Sequence, residues 1–155
     1  VSGFSWVVAS APGSSPDDDY HLVSMWCPRP VTESCATKVV EGQLRVGVPA
    51  ALPGATCSSF HVDISQAMCN RYSDKRISYS LRYDDGNYPY GYYHFHHMFK
   101  PLGVQGLVIA SRTANMVIAL ALLGSIGLLA PPKLRGAYLL HGGCLDAHWH
   151  LFHNF

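Results

Sequence analysis

The 155-residue sequence has few charged residues and almost no excess of one sign. Eleven Lys and Arg face ten Asp and Glu, and charged residues make up 14% of the chain, against roughly 25% in a typical soluble domain. A net charge near +1 produces no long-range field, so we expect no nucleic-acid partner. The sequence contains no P-loop, dinucleotide-binding glycine fingerprint, GxSxG or HExxH motif, and these enzyme classes gain no support.

Apolar residues are instead clustered in a long run near the C-terminus. No residue between Arg112 and Lys133 carries a formal charge, and an α-helix needs roughly 20 apolar residues to cross a bilayer. The run predicts a transmembrane helix over residues 106–130. The alternative is a buried helix of a soluble protein, which so short a chain could hardly cover on all sides.

The residues that flank this run predict its orientation. Pro131 and Pro132 end the helix, and Lys133 and Arg135 just beyond it indicate the cytoplasmic side. We therefore expect a multi-pass plasma-membrane protein with residues 10–105 outside the cytoplasm and residues 131–140 as a cytoplasmic turn. The chain starts with Val rather than Met, and we interpret residues 1–9 as the outer end of a preceding transmembrane helix, with Trp6 as an interfacial anchor.

Four cysteines lie in the predicted outer segment: Cys27, Cys35, Cys57 and Cys69. An even number of cysteines outside the cytoplasm is typical of a disulfide framework. Four cysteines allow three pairings, and the close spacing favours Cys27–Cys35 and Cys57–Cys69. No pair has the CxxC spacing common in zinc sites, so a structural zinc is disfavoured.

Residues 141–155 are rich in histidine and do not resemble the rest of the chain. His148, His150 and His153 lie close enough in sequence to suggest a metal site. The alternative, which we favour, is a frameshifted tail, because codons read one nucleotide later can encode an apolar, membrane-helix sequence. The nucleotide sequence decides between the two interpretations.

Three consecutive carboxylates, Asp17, Asp18 and Asp19, follow a turn-rich segment immediately after residues 1–9. At a membrane surface such a cluster suits a divalent metal or a general base, and His21 lies one helical turn further on. No cofactor is certain, and a divalent metal is the one that these acids could hold. The alternative is architectural: Ser15 or Asp17 caps a helix, and the acids lie at its positive end.

Aromatic and basic residues supply the remaining candidates. Residues 88–99 contain six Tyr and Phe side chains, which suit a membrane interface or stacking on sugar rings. His94 and His96 would share one face of a strand, which allows a metal interpretation, although we favour structural roles.

Arg112 at the membrane edge could reach lipid headgroups or bind a donor phosphate. A basic run comprises Arg71, Lys75, Arg76 and Arg82, either a solvated face or a contact for lipid phosphate or acidic glycan.

The predicted fold class is a mostly α membrane protein with one full transmembrane helix, the end of a preceding one, and a long outer loop of short helices. The first short helix should begin near Pro16 and continue to Trp26. Residues 32–54 are expected to form an irregular loop with a short strand around Leu44 to Val48, and strand content should be low.

Two motifs resemble a known family. The segment Pro-Gly-Ser-Ser-Pro-Asp-Asp at residues 12–18, with His21 four residues after Asp17, and the Tyr-Pro segment at residues 86–93 are similar to the actinobacterial polytopic membrane proteins classified as domain of unknown function 2142. The four outer cysteines are also similar to those of actinobacterial members. That family typically has Glu where this sequence has Asp18, which keeps the charge and shortens its reach. The resemblance covers roughly residues 10–140.

The layout of that family is similar to the GT-C glycosyltransferases, which transfer sugar from a polyprenyl-phosphate donor on the outer membrane face. The resemblance implies that Asp17 is the leading catalytic carboxylate, that Asp18 is its partner and that His21 faces the same pocket. It gives no role to Asp19 or Tyr20. Candidate substrate-binding residues are Tyr88, Tyr92, Tyr93 and Arg112. The implied partners are membrane lipid, a lipid-linked sugar and a glycan acceptor.

Three functions therefore compete. The first is part of a GT-C-like glycosyltransferase in envelope glycan assembly, which needs more helices than this chain contains. The second is a non-catalytic membrane component for assembly or transport, in which the acids only cap a helix. The third is a histidine-rich metal-binding protein, which requires the tail to be native.

Overall fold

A computed structural model describes residues 2–10, 12, 17–56, 61–64, 76–129 and 131. The chain divides into two compact units, Val1–Thr113 and Ala114–Phe155. The described helices are α1 (Ser2–Ala9), α2 (Asp18–Trp26), α3 (Val31–Ser34), α4 (Tyr90–His97) and α5 (Gly103–Leu129). The strands are β1 (Thr37–Val40), β2 (Gln43–Pro49) and β3 (Ile77–Ser80), and 3-10 turns cover Pro53–Thr56 and Lys100–Leu102. A mostly helical fold with a small sheet confirms the predicted fold class in its coarse form.

Helix α2 occupies nearly the predicted segment and carries the acidic motif at its N-terminus. Leu22, Val23 and Met25 are buried, and the helix ends at Trp26, before Cys27. Asp18 and Asp19 lie in its first turn, where the partial positive charge of the helix end favours carboxylates. The sequence pattern of apolar residues after an acidic start therefore accounts for both the position and the polarity of this helix.

The predicted irregular loop over residues 32–54 is wrong, because much of it forms a β-hairpin. Strands β1 and β2 pair antiparallel, with Val40 opposite Gln43. Glu41 and Gly42 connect them with φ values of 53° and 77°, as a two-residue turn with left-handed backbone at both positions requires. The expected short strand around Leu44 to Val48 is part of β2.

Strand β3, which sequence analysis did not predict, completes a three-stranded antiparallel sheet in the order β1-β2-β3. Val46 pairs with Ser80 and Val48 with Ser78, so both valines project from the same face of the sheet. Both valines are completely buried. This face of the sheet therefore contributes to the core.

The core of the first unit is formed by α2, β2, α4 and the first part of α5. Its buried apolar residues include Leu22, Val23, Val46, Val48, Leu52, Tyr93, Leu107 and Val108. Cys27 and Cys35 form a disulfide at the end of α2, the pairing that their spacing favours. The other predicted pair, Cys57 and Cys69, lies outside the described residues, as does the histidine-rich tail.

The aromatic segment forms helix α4 rather than a strand. The expectation that His94 and His96 share one face of a strand is therefore wrong, because residues two apart on a helix point in different directions. His96 is buried, and His94 is partly exposed. Each ring Nδ1 is within hydrogen-bond distance of the carbonyl four residues earlier, that of Tyr90 for His94 and that of Tyr92 for His96.

Helix α5 is long and apolar enough to cross a membrane, and it is the one such helix among the described residues. In its second half, Leu120, Leu123 and Leu128 are 60%, 61% and 76% exposed. The core helix of a soluble protein would bury side chains of this size. Length, composition and exposure together agree with the coarse prediction of a membrane-crossing helix, whereas the orientation and the number of passes remain predictions.

Candidate functional site

Asp17 is the most exposed of the three consecutive carboxylates. Its backbone lies in the left-handed region, with φ 60°, and its side chain makes no capping hydrogen bond to α2. Its carboxylate instead pairs with Arg82, with 2.5 Å between Oδ1 and Nη2, and the two side chains are 65% and 56% exposed. Asp17 therefore occupies the N-cap position without acting as a side-chain cap, and it presents a carboxylate to solvent.

Arg82 also binds the third carboxylate of the motif. Its Nε lies 2.8 Å from Oδ2 of Asp19, whose side chain is only 11% exposed. Arg82 follows β3, so this ion pair connects the sheet to the N-terminus of α2. Of the basic run predicted from the sequence, Arg71 and Lys75 lie outside the described residues, and Arg82 contacts the acidic motif.

Asp18 is nearly buried and pairs with Arg112. Nη2 of Arg112 lies 3.1 Å from Oδ2 of Asp18, with side chains 10% and 16% exposed respectively. Nη1 of Arg112 donates to the carbonyl oxygen of Ser10 at 2.6 Å, and the guanidinium lies 5.3 Å from the ring centre of Trp6. Arg112, a candidate for phosphate or headgroup contact, thus connects α5 to the acidic motif and to the segment after α1.

His21 lies in an aromatic cluster formed with Tyr20, Tyr88 and Tyr93. Its Nδ1 is 2.9 Å from the hydroxyl of Tyr93, and its ring lies edge-on to Tyr88 with 5.1 Å between ring centres. The backbone N–H of His21 donates to the carbonyl of Asp17, one turn earlier. The structure therefore brings His21, Tyr88 and Tyr93 together.

Tyr92, the remaining predicted substrate-binding residue, lies at the edge of this cluster. Its ring contacts Tyr93 at 5.1 Å and His96 at 4.6 Å between centres. It is partly exposed, whereas Tyr93 is buried. Tyr93 thus contributes one buried hydroxyl beside His21, and Tyr92 contributes more exposed aromatic surface.

Asp84 organises this region, although sequence analysis did not select it. Its carboxylate is 3% exposed, and Oδ2 accepts a hydrogen bond from Nε of Arg29 at 2.9 Å. Oδ1 accepts from the hydroxyl of Tyr20 at 3.2 Å. Oδ1 also accepts from the backbone N–H groups of Gly86, Asn87 and Tyr88. The sequence Asp-Asp-Gly-Asn at residues 84–87 is a turn pattern that could have identified it.

This environment sets the ionisation of both Asp84 and Tyr20. Burial opposes ionisation of Asp84, but the backbone N–H groups of Tyr88 and Gly86 and the charge of Arg29 outweigh it, and the pKa of Asp84 is lowered. Burial raises the pKa of the Tyr20 hydroxyl, and the neighbouring Asp84 carboxylate acts in the same direction. Asp84 is therefore a permanent anion at neutral pH, and Tyr20 a neutral donor to it.

A metal site receives no geometric support in the part of the chain that the structure describes. No group of three or more His, Cys, Asp or Glu there is arranged to hold a metal ion. Nδ1 of His97 lies 3.0 Å from the carbonyl oxygen of Met25, so it is occupied by backbone, as are the same atoms of His94 and His96. His148, His150 and His153 lie outside the described residues.

An open groove of about 460 Å³ lies beside Asp84. Its polar and aromatic lining comes from Arg29, Thr32, Tyr83, Asp84, Asp85 and Tyr90. Arg29 is held in place by Asp84 and by the carbonyl of Tyr88, to which its Nη2 donates at 2.8 Å. The groove thus has a fixed cation, an exposed carboxylate in Asp85 and aromatic side chains along one surface.

Comparisons with family models, with curated proteins and with solved structures found no match to this chain.

Proposed function

We propose that this chain is part of a polytopic membrane protein that acts as a GT-C-like glycosyltransferase, with Asp17 as the general base. The resemblance of its motifs to the domain of unknown function 2142 family suggests this class of activity. The observation that carries the proposal is the difference in exposure among the three adjacent carboxylates. Asp17 is 65% exposed, whereas Asp18 and Asp19 are 16% and 11% exposed.

This difference assigns separate roles to the three acids. An exposed ion pair such as Asp17–Arg82 contributes about 0–1 kcal/mol, so replacing Arg82 by a substrate group costs little. Separating the nearly buried Asp18 from Arg112 would leave each charge nearly buried without its partner, which is costly. Asp19 holds the other side of Arg82. In this proposal Asp17 reacts, while Asp18 and Asp19 position the two arginines.

The reaction is a displacement at the anomeric carbon of the donor sugar. The Asp17 carboxylate accepts the proton of the acceptor hydroxyl as that oxygen bonds to the anomeric carbon. The bond between the anomeric carbon and the donor phosphate oxygen breaks, and its electron pair leaves with polyprenyl phosphate. Arg82, released from Asp17 when that carboxylate is protonated, stabilises the negative charge on the departing phosphate.

The aromatic cluster around His21 supports this use of the site. Tyr88 and Tyr92 present partly exposed rings, and such rings bind the apolar faces of sugars. Tyr93 is buried and holds His21 through its hydroxyl. A sugar on the exposed rings would lie next to the helix that begins at the reacting carboxylate.

Asp17→Asn in the full-length protein tests the proposal directly. Membranes containing the variant should transfer radiolabelled sugar from a polyprenyl-phosphate donor about 10²–10⁴-fold more slowly, the usual contribution of a general base. Asp63→Asn is the matched control, because Asp63 is also an exposed aspartate of the same unit. Equal transfer by wild type and Asp17→Asn, with equal protein levels, would rule out Asp17 as the base.

A second function, a non-catalytic membrane component for assembly or transport, is favoured by one observation. Each of the three carboxylates already has an arginine partner, either Arg82 or Arg112. An acidic motif whose role is only to fix α2 against β3 and α5 would form the same ion pairs. In that case Asp17→Asn would leave envelope glycans unchanged, so the same variant separates the two functions.

A further inference from the structure

The groove beside Asp84 has a charge distribution that selects among ligands. Arg29 is neutralised by its ion pair with Asp84, which is almost completely buried. Asp85 is exposed, and its Oδ1 accepts a hydrogen bond from the side chain of Asn87 at 2.9 Å. Arg29, Asp84 and Asp85 therefore carry a net charge of −1, which disfavours phosphate, sulfate and carboxylate ligands.

The lining of the groove also has the two components that sugar recognition needs, aromatic rings and hydrogen-bonding groups. The aromatic rings are Tyr90 and Tyr83. Tyr90 is 58% exposed and stacks on His94 with 3.9 Å between ring centres, so its ring is held in a defined orientation. The hydroxyl of Tyr83 donates to the carbonyl of Leu44 at 3.3 Å, which fixes the second ring. Aromatic rings with fixed orientation bind the apolar faces of pyranose rings, and their contact is independent of charge.

Donors and acceptors for hydroxyl groups lie at the same place. The guanidinium of Arg29 is 30% exposed and is held through Nε and Nη2, so its exposed edge has a fixed direction. Asp85 supplies an exposed acceptor, and Thr32 an exposed hydroxyl. A sugar hydroxyl both donates and accepts, and it can bridge such a pair, whereas a purely anionic group can use only the cation.

We propose that this groove is a binding subsite for a neutral hexose oligosaccharide, the acceptor glycan of the transfer reaction. That the glycan is the acceptor rests on the proposed function, whereas the class of ligand rests on the groove alone. Asp84 connects the two regions, since it binds Arg29 on the groove side and the hydroxyl of Tyr20, the neighbour of His21, on the other. A glycan in the groove would be held apart from the charged donor, whose phosphate the groove disfavours.

The test is a binding titration of the full chain in detergent micelles. The probes are three neutral oligosaccharides, maltotetraose, cellotetraose and mannotetraose, with tetragalacturonate as the anionic comparison, and binding is followed by saturation-transfer NMR. At least one neutral probe should bind, and tetragalacturonate should bind at least tenfold more weakly. Tyr90→Ala and Asp85→Asn should each weaken the neutral probe about tenfold.

Two control variants make the result specific to the groove. Tyr79→Ala removes an exposed tyrosine from the sheet, and Asp63→Asn removes an exposed carboxylate; neither residue lines the groove. Both should bind as wild type does. Because Tyr90 and Asp85 are exposed, their variants should keep the wild-type circular dichroism spectrum. The inference is overturned if no neutral probe binds, if the groove variants bind as tightly as wild type, or if the anionic probe binds equally well.

Failure of this inference can be distinguished from failure of the proposed function. Asp17→Asn should leave oligosaccharide binding unchanged, because Asp17 does not line the groove. Absence of sugar transfer by wild type together with groove-dependent binding would reject the glycosyltransferase and keep a glycan-binding site, and equal transfer by wild type and Asp17→Asn would reject only Asp17 as the base. Loss of transfer in Asp17→Asn without any groove-dependent binding would reject the subsite alone.

Discussion

Asp18 and Arg112 form an ion pair in which both side chains are nearly buried, although 94 residues separate them in the sequence. The pair connects the first turn of α2 to α5 just before the long exposed apolar stretch of that helix. Arg112 also reaches the carbonyl of Ser10, so one guanidinium contacts three segments of the chain. This pair, rather than the acidic cluster by itself, fixes the position of the candidate site.

Arg112→Ala should therefore strongly destabilise the first unit. Removing one partner of a buried pair leaves Asp18 uncompensated, and such changes cost about 3–5 kcal/mol of the free energy of unfolding. Thermal unfolding in detergent micelles measures the effect. The control is Asp17→Asn, which removes only the exposed pair with Arg82 and should cost about 1 kcal/mol or less. Equal losses in the two variants would contradict the structural role of Arg112.

The double variant Asp18→Leu with Arg112→Met separates pairing from packing. Replacing a buried ion pair with apolar residues of similar size is often neutral for stability. We expect the double variant to unfold at a higher temperature than Arg112→Ala. If it is as unstable as the single variant, the contacts of Arg112 with Ser10 and Trp6 must dominate instead.

Asp84 should make stability depend on acid pH. Its pKa in the folded state lies below its ordinary value of 3.8, so between these two values the folded state binds fewer protons than the unfolded state. The stabilisation is therefore fully present above about pH 5 and is lost as the pH falls below 4 through the folded-state pKa. Thermal midpoints of wild type and Asp84→Asn measured from pH 7 to pH 3 should converge on acidification.

At neutral pH, Asp84→Asn should itself destabilise the protein. It leaves the Arg29 charge unpaired and weakens the hydrogen bonds from the backbone at residues 86–88, a loss of about 1–3 kcal/mol. Asp85→Asn is the matched control, because its carboxylate is exposed and should change stability little. Parallel pH curves for Asp84→Asn and wild type would show that Asp84 titrates normally.

The disulfide between Cys27 and Cys35 should stabilise the end of α2. It closes a short loop with a sequence separation of 8, for which loop-closure entropy predicts a contribution of about 2–3 kcal/mol. The double variant Cys27→Ser with Cys35→Ser should lower the free energy of unfolding by that amount. Peptide mapping of the unreduced protein should recover the two cysteines in one linked peptide pair, and free thiols at both positions would disprove the bridge.

Local sequence signals predicted α1, α2 and α5, and they missed α3, α4 and most of the sheet. The acidic start and apolar spacing of residues 18–26 identified α2, and the uncharged run before Lys133 identified α5. The β1–β2 hairpin was missed because its turn has Glu41 where Asn or Asp usually precedes Gly, so the pattern was not recognised. Strand β3 was missed because its pairing with β2 joins segments that are distant in the sequence.

In the candidate site, too, features local in the sequence could be predicted and contacts between distant segments could not. Asp17, Asp18 and His21 could be selected from the run of adjacent acids and from the family resemblance, in which a His follows the acidic motif shortly afterwards. Their partners could not, since Arg82 lies 65 residues from Asp17 and Arg112 lies 94 residues from Asp18. The fold decides which cation meets which carboxylate, and hence which carboxylate is left exposed.

The most direct test of an outer-face site is to measure on which side of the membrane residues 10–105 lie. Asn87→Cys, at an exposed loop position, is treated with a membrane-impermeant maleimide in intact cells expressing the full-length protein, with Cys57→Ser, Cys69→Ser and Cys144→Ser as background. An outer-face site predicts labelling of Asn87→Cys without permeabilisation, whereas Lys133→Cys in the same background should be labelled only after permeabilisation. Labelling of Asn87→Cys only after permeabilisation would place the acidic motif inside the cell and contradict an outer-face glycosyltransferase site.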